Sequence, residues 1–156
     1  MLNITVTRFN KNTFEENKNF RINNNINCIY SIPIKICDKI LPNEKIIVIE
    51  MNNTKNKIEG FGIIKNKLDL QNKYKIYNDN NYNRYTYKSN YRIDIEDLTS
   101  YELFIIKELE NLLFKTRSHC KRGQGIQKLP SHITFKNYKF NYIRFLNEIY
   151  LSRFNK

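Results

Sequence analysis

Four consecutive apolar β-branched residues, Ile46-Ile47-Val48-Ile49, stand between Lys45 and Glu50-Met51. Successive side chains of a strand point to opposite faces, so such a run is at home only where both faces are covered. Lys45 to Met51 is therefore expected as a central strand. Asn52-Asn53-Thr54-Lys55-Asn56 supplies turn chemistry, and Lys57 to Asn66 then reads as the returning hairpin strand. Gly60 and Gly62 inside that strand remove side chains it would otherwise pack. They point either to a bulge or to close approach by a ligand.

Around this hairpin, Ile4 and Val6 alternate with polar neighbours as in a first strand. Asn10 to Asn25 is polar and Asn-rich with room for a short helix, and Ile26 to Ile32 reads as a second extended segment ended by Pro33. Ile34 to Ile40 has room for one helical turn or two before Pro42-Asn43 turns the chain. Lys73 to Tyr77, Tyr82 to Lys88 and Tyr91 to Ile95 read as three further strands. Thr99-Ser100-Tyr101-Glu102 is a capping box, followed by Leu103, Ile106, Leu109, Leu112 and Leu113 at helical spacing to about Lys115. A last helix, roughly Asn137 to Phe154, places Phe140, Ile143, Leu146, Ile149 and Tyr150 on one face. Strands early and helices late give a single α+β domain over residues 1–156, most simply a partly closed mixed β-barrel flanked by helices.

The formal charge of +12 favours an acidic polymer as partner, either nucleic acid or an anionic membrane surface. Alanine and tryptophan are absent while Asn, Lys, Ile, Tyr and Phe abound, as A+T-rich codons would give. Positioned arginines such as Arg122 and Arg84 therefore carry more weight than the lysine total. Cys28, Cys37 and Cys120 are odd in number and form no CxxC pair, which argues against a disulfide framework and a zinc ribbon. The N-terminus has no apolar leader core and no run approaches the length of a membrane span, so an intracellular, cytoplasmic protein with no membrane partner is expected.

The segment Ser118-His119-Cys120-Lys121-Arg122-Gly123-Gln124-Gly125-Ile126-Gln127-Lys128-Leu129-Pro130 holds two of the four glycines beside two cations. Glycine lets backbone N–H groups approach a partner closely, and the flanking charges suit phosphate. Lys121, Arg122, Gly123 and Gly125 are accordingly phosphate-binding candidates, with Gln124 directed at a base edge. The plainer alternative is that Gly123 or Gly125 ends a helix whose dipole the cations complement. Tyr74, Tyr77, Tyr82, Tyr85, Tyr87 and Tyr91, interleaved with Arg84, Lys88 and Arg92, suit a stacking platform edged by cations. Its preferred members are Arg84, on phosphate, and Tyr85, on a base; the alternative is ordinary strand composition.

Enzyme signatures are sparse. His119-Cys120 are neighbours whose side chains point apart in an extended segment, and no third partner is evident. The cysteines and histidines lack metal-site spacing, so neither a metal nor a cofactor is expected. Glu50 and Glu59, on paired strands, would serve a metal-dependent nuclease if they faced each other, but cross-strand ion pairs with Lys45 and Lys57 explain them more simply. There is no Walker loop or dinucleotide fingerprint.

Ile29-Tyr30-Ser31, the following short segment, and Ile46 through Gly62 in order resemble the first half of YTH and EVE domains of the PUA-like superfamily. Lys121 to Ile126 is similar to the basic loop near the end of YTH domains. The resemblance implies a PUA-like barrel that binds RNA or DNA, RNA more than DNA, and receives one base, often modified, in an aromatic pocket. Tyr30 would then be a cage wall, with Ser31 near the base edge and Asn52 among the base-binding positions. The chain departs from the family in lacking tryptophan, so tyrosine and phenylalanine would have to enclose the base. It is also similar to proteins of large DNA viruses with A+T-rich genomes, for which a viral factory is a further location. The leading expectation is a non-catalytic reader of single-stranded RNA. The alternatives are a small nuclease or nucleic-acid-modifying enzyme using Glu50, Glu59 or His119, and a protein-interaction module of a viral assembly.

Overall fold

A computed structural model describes residues 1–134 and 140–154. Its strands are β1 (Asn3–Phe9), β2 (Cys28–Ile32), β3 (Lys45–Asn52), β4 (Lys57–Lys65), β5 (Tyr85–Ser89), β6 (Tyr91–Asp94) and β7 (Gln127–Lys128). The helices are α1 (Lys11–Asn24), α2 (Ser100–Glu110), α3 (Ser131–Thr134) and α4 (Tyr142–Phe154), and a π-helical turn, Asn111–Lys115, prolongs α2. Five strands form a mixed sheet in the order β6-β4-β3-β1-β7, in which only β1 and β3 are parallel. β2 and β5 pair as a separate antiparallel ribbon. The class is α+β, and no described helix is long and apolar enough to cross a membrane.

β3 is central, as its β-branched run requires, and every residue from Ile46 to Asn52 is buried. Its two faces feed two cores. Ile47, Ile49 and Met51 pack with Ile4, Val6, Phe61 and Ile63 beneath α2 and α4. Ile46 and Val48 pack with Ile64 and Phe9 beneath α1 and the β2–β5 ribbon. Between Glu50 and Met51 the register with β4 shifts, leaving Glu59 as an extra residue. This bulge explains why Ile58 and Phe61, an odd number of positions apart, reach the same core.

Asn10 to Asn25 forms a full helix of 14 residues rather than a short one. Its ends decide this: Asn10 and Thr13 exchange capping hydrogen bonds, and Asn25 closes the helix in the left-handed region at φ 53. The apolar signal is faint because only Phe14 and Asn17 are buried. Lys73 to Tyr77 is not a strand, because the amides of Ile76 and Tyr77 both donate to Asn83 Oδ1 instead of to a ladder. A 3₁₀ turn, Asn80–Asn83, replaces the start of the expected Tyr82 to Lys88 strand, and Ile34 to Ile40 forms turns without a helix. The capping box of Thr99 and Glu102 opens α2 as read from the sequence. α4 is described from Tyr142, and Asn137 to Lys139 lie outside the described residues.

Candidate functional site

Face alternation puts Glu50 on the ribbon side of β3, where the sheet has been hollowed to receive two large side chains. Arg92 of β6 pairs with Glu50 through Nη2 to Oε1 at 2.6 Å and Nε to Oε2 at 3.0 Å, while Nη1 reaches Asp94 at 3.0 Å. Tyr30 donates its hydroxyl to Oε2 of the same carboxylate at 2.5 Å. The two β4 glycines make the space. A Cβ at Gly62 would stand 2.6 Å from Tyr30 Cε2, and one at Gly60 would stand 2.6 Å from Arg92 Nη2. The sequence left a bulge or a ligand as readings of these glycines; the bulge lies beside them, and the close approach is by side chains of the chain itself. Burial raises the Tyr30 pKa well above its usual value, with Cys28 and Glu50 adding to the effect. Burial also opposes the charge on Arg92, but Glu50 reverses this and holds the guanidinium above its ordinary value.

Beyond the carboxyl end of β1 the chain builds a cleft of about 250 Å³ with mixed polar and apolar lining. Thr7 and Arg8 of β1, Asn10 and Thr13 at the start of α1, Ser31 at the end of β2, and Asn53 after β3 contribute to it. Tyr82, 39 % exposed, brings an aromatic ring, with Tyr77 edge-on to it at 6.4 Å between centroids. The Lys121 to Gly125 loop completes the lining through Lys121, Gly123, Gln124 and Gly125.

The loop is held in place from below. Arg8 donates Nε to the Cys120 carbonyl at 2.8 Å and Nη1 to Gln127 Oε1 at 2.7 Å, and Asn53 Nδ2 donates to the Lys121 carbonyl at 2.9 Å. Gly123 and Gly125 have φ of +133° and +73°, values that other residues rarely adopt. A side chain at Gly123 would also meet Gln127 and Arg8, and one at Gly125 would press on Ile34. Neither glycine ends a helix, since α2 and its π turn stop at Thr116. Among the described residues the backbone N–H groups of Arg122, Gly123, Gln124 and Gly125 meet no acceptor. Free amides in a glycine-bearing loop are donors open to an anion or to water.

The sequence candidates thus divide. Ser31, Lys121, Gly123, Gln124 and Gly125 line one cleft. Tyr30 also borders it, but its ring is 2 % exposed and its hydroxyl is taken, so no base can stack on it in this conformation. Asn52 is buried, its Oδ1 accepting from the amides of Thr54 and Lys55, and it shapes the turn instead of facing a ligand. Arg122 is exposed beside the cleft without lining it. Arg84 lies over the Tyr85 ring at 5.4 Å, with Lys35 over the same ring at 5.6 Å, away from the cleft lining. The tyrosines do not form one platform: Tyr77 and Tyr87 belong to the core, Tyr91 packs on Phe154, and Arg92 is consumed by Glu50.

Glu50 faces Arg92 and Tyr30, so it neither meets Glu59 across the hairpin nor forms the expected cross-strand pair with Lys45 or Lys57. The Cys120 thiol is buried, which raises its pKa despite the opposing pull of Arg8, the reverse of an activated nucleophile. Sequence reasoning missed Arg8, Asn10, Thr13 and Asn53. Only the polar alternation at the end of β1 hinted at Arg8, because its partners lie more than a hundred positions away. Comparison with family models, with curated proteins and with solved structures yields no match.

Proposed function

We propose that this chain is a non-catalytic nucleic-acid-binding domain of PUA-like architecture that takes single-stranded RNA, one base entering the cleft and the adjoining phosphate lying on the Lys121 to Gly125 loop. The observation that carries this reading is the run of four amides, Arg122 to Gly125, that are unpaired among the described residues and accompanied by the Lys121 and Arg122 side chains, at the edge of a cleft that also holds an accessible tyrosine. Tyr82 takes the stacking role that the sequence suggested for Tyr30. At about 250 Å³ the cleft falls just below the ~300 Å³ at which small-ligand pockets begin, room for a single heterocycle and too little for a dinucleotide cofactor. Its hydroxyl and amide lining, Thr7, Asn10, Thr13 and Ser31, suits a ribose 2′-hydroxyl, which favours RNA over DNA. A methyl group on the base would add apolar contact with the Tyr82 ring, so a modified base fits the same reading. The barrel-like part of the proposal rests on the β2–β5 ribbon lying against β4, where Ser89 donates its hydroxyl to the Ile63 carbonyl at 2.5 Å.

The test is fluorescence anisotropy with short single-stranded RNA and DNA across a salt series. Lys121→Ala/Arg122→Ala should weaken binding to all sequences and flatten the salt dependence by about 0.7 per lost phosphate contact. Tyr82→Ala should cost about 1–3 kcal/mol of affinity without changing that slope. Unchanged binding in both variants would remove the cleft and its loop from the interface.

A further inference from the structure

The turn between β3 and β4 links the cleft to a second hollow. Asn53 lines the cleft; Lys55, two residues on and so within about 7 Å between Cα atoms, begins a hollow of about 550 Å³. Lys55, Asn56 and Lys57 form one side of it, and Lys107, Glu110 and Lys115, from α2 and its π turn, form the other. The four lysines are exposed, and among the described residues none of them is in an ion pair. The carboxylate in their midst is otherwise engaged: Glu110 Oε2 accepts the backbone N–H of Ile58 at 2.8 Å. Burial raises the Glu110 pKa against the Ile58 hydrogen bond and the charges of Lys57, Lys107 and Lys115.

The π turn matters to this convergence. Two α-helical turns span 7.2 residues and would bring position 114 beneath Lys107. The wider turn over Asn111–Lys115 adds about one residue, which accords with Lys115 lining the same hollow as Lys107 while Phe114 is buried in the core. π turns recur at functional sites. A lysine-rich composition alone would scatter ammonium groups over the surface and would not call for an irregular helix to collect them.

We infer that this hollow is a second phosphate site, and that a strand whose base occupies the cleft passes over the β3–β4 turn so that its neighbouring phosphates lie among Lys55, Lys57, Lys107 and Lys115. The inference rests on the proposed cleft and names the path of the polyanion beyond it. The partner is a nucleic-acid backbone because every side chain lining the hollow is a lysine, an asparagine or Glu110, a cationic and hydrogen-bonding set that suits phosphate oxygens, and because the polyanion in the cleft is already next to it.

The experiment compares the intact chain with the quadruple variant Lys55→Ala/Lys57→Ala/Lys107→Ala/Lys115→Ala on single-stranded RNA of about ten and roughly three nucleotides. In the variant the longer RNA should bind at least about tenfold more weakly near 0.1 M salt, with a salt slope shallower by about 2–3, while the shorter RNA binds as before. Arginine at the same four positions should restore the slope. The second site is overturned if the quadruple variant keeps the full affinity and slope for the longer RNA while Lys121→Ala/Arg122→Ala loses them; the cleft reading then stands. It is also overturned if a polyglutamate of equal charge displaces the longer RNA from these lysines as well as RNA does. If the intact chain binds neither RNA, the cleft reading fails first and the second site with it.

Discussion

Replacing Glu50 by glutamine tests the buried cluster with little change of shape. The carboxylate accepts from Arg92 at 2.6 and 3.0 Å and from Tyr30 at 2.5 Å, and it is 2 % exposed. Glutamine retains the volume and one acceptor but leaves the Arg92 guanidinium buried without its main counter-charge. Removing one partner of a buried ion pair costs about 3–5 kcal/mol. Asp94 remains 3.0 Å from Arg92 Nη1, with its side chain 44 % exposed, which argues for the low end, about 3 kcal/mol. In a domain of this size that corresponds to a fall in Tm of ~6–12 °C. Total stabilities of ~5–15 kcal/mol leave the variant folded. Without tryptophan in the chain, far-UV circular dichroism against urea is the suitable readout. Adding Arg92→Met removes the stranded charge and should recover at least ~1 kcal/mol relative to Glu50→Gln. A loss below ~1 kcal/mol for Glu50→Gln, or strictly additive losses in the double variant, would refute the reading of a coupled buried pair.

Gly62→Ala should destabilise by about 1–3 kcal/mol, since its Cβ would intrude on the Tyr30 ring and stand 2.7 Å from Cys28 Sγ; trimming the ring with Tyr30→Leu should relieve part of that loss, and an additive double variant would place the clash elsewhere. Burial first, and Glu50 second, push the Cys28 thiol up to about 12 from an ordinary 9.0. The folded chain then holds a proton that the unfolded chain releases, so stability is intact below pH 9 and falls as pH rises toward about 12. Urea midpoints against pH should decline less steeply in Cys28→Ala, and an identical decline would exclude the thiol as a source. Arg8→Gln removes two hydrogen bonds from a charged donor and should cost about 2 kcal/mol. It should also expose the bonds after Lys121 and Arg122 to trypsin before global unfolding; cleavage no faster than in the parent chain would show that Arg8 does not hold the loop.

The central strand was legible because a β-branched run admits few environments, and the α2 boundary because the Thr99 and Glu102 capping box is a local code. α1 was only partly legible: its caps are asparagines and a threonine in an Asn-rich chain, and its buried face is two residues deep. The tyrosine strands failed where side chains captured the backbone, as Asn83 does for Ile76 and Tyr77. At the site, the glycine and lysine loop announced itself by chemistry, but that it shares a cleft with Ser31 is set by the pairing of β7 with β1, which no local pattern carries. Tyr30 illustrates the limit of that reasoning. An aromatic residue at a family-like position reads as a cage wall until the glycine facing it, Gly62, is seen to make room for its ring inside the sheet.

The cleft lies where it does because β1 and β3 are parallel. A parallel pair needs a crossover, and α1 leaves β1 directly at Asn10 to begin it. Both strands therefore point their carboxyl ends, Phe9 and Asn52, the same way, and ligands of open α/β sheets collect beyond such ends. The Lys121 to Gly125 loop reaches that place because β7 pairs with β1 and draws the chain along the same edge. The Glu50, Arg92 and Tyr30 cluster sits one layer inward, where it fixes β2 against the sheet without meeting solvent. The side chains that hold the sheet are thus distinct from those proposed to meet a ligand, and lie on a neighbouring layer. Glu50→Gln should lower the urea midpoint yet leave the salt slope of RNA binding unchanged under conditions where it remains folded, since no phosphate-facing cation is touched. A slope that moved with Glu50 would show that the buried cluster and the loop act as one unit.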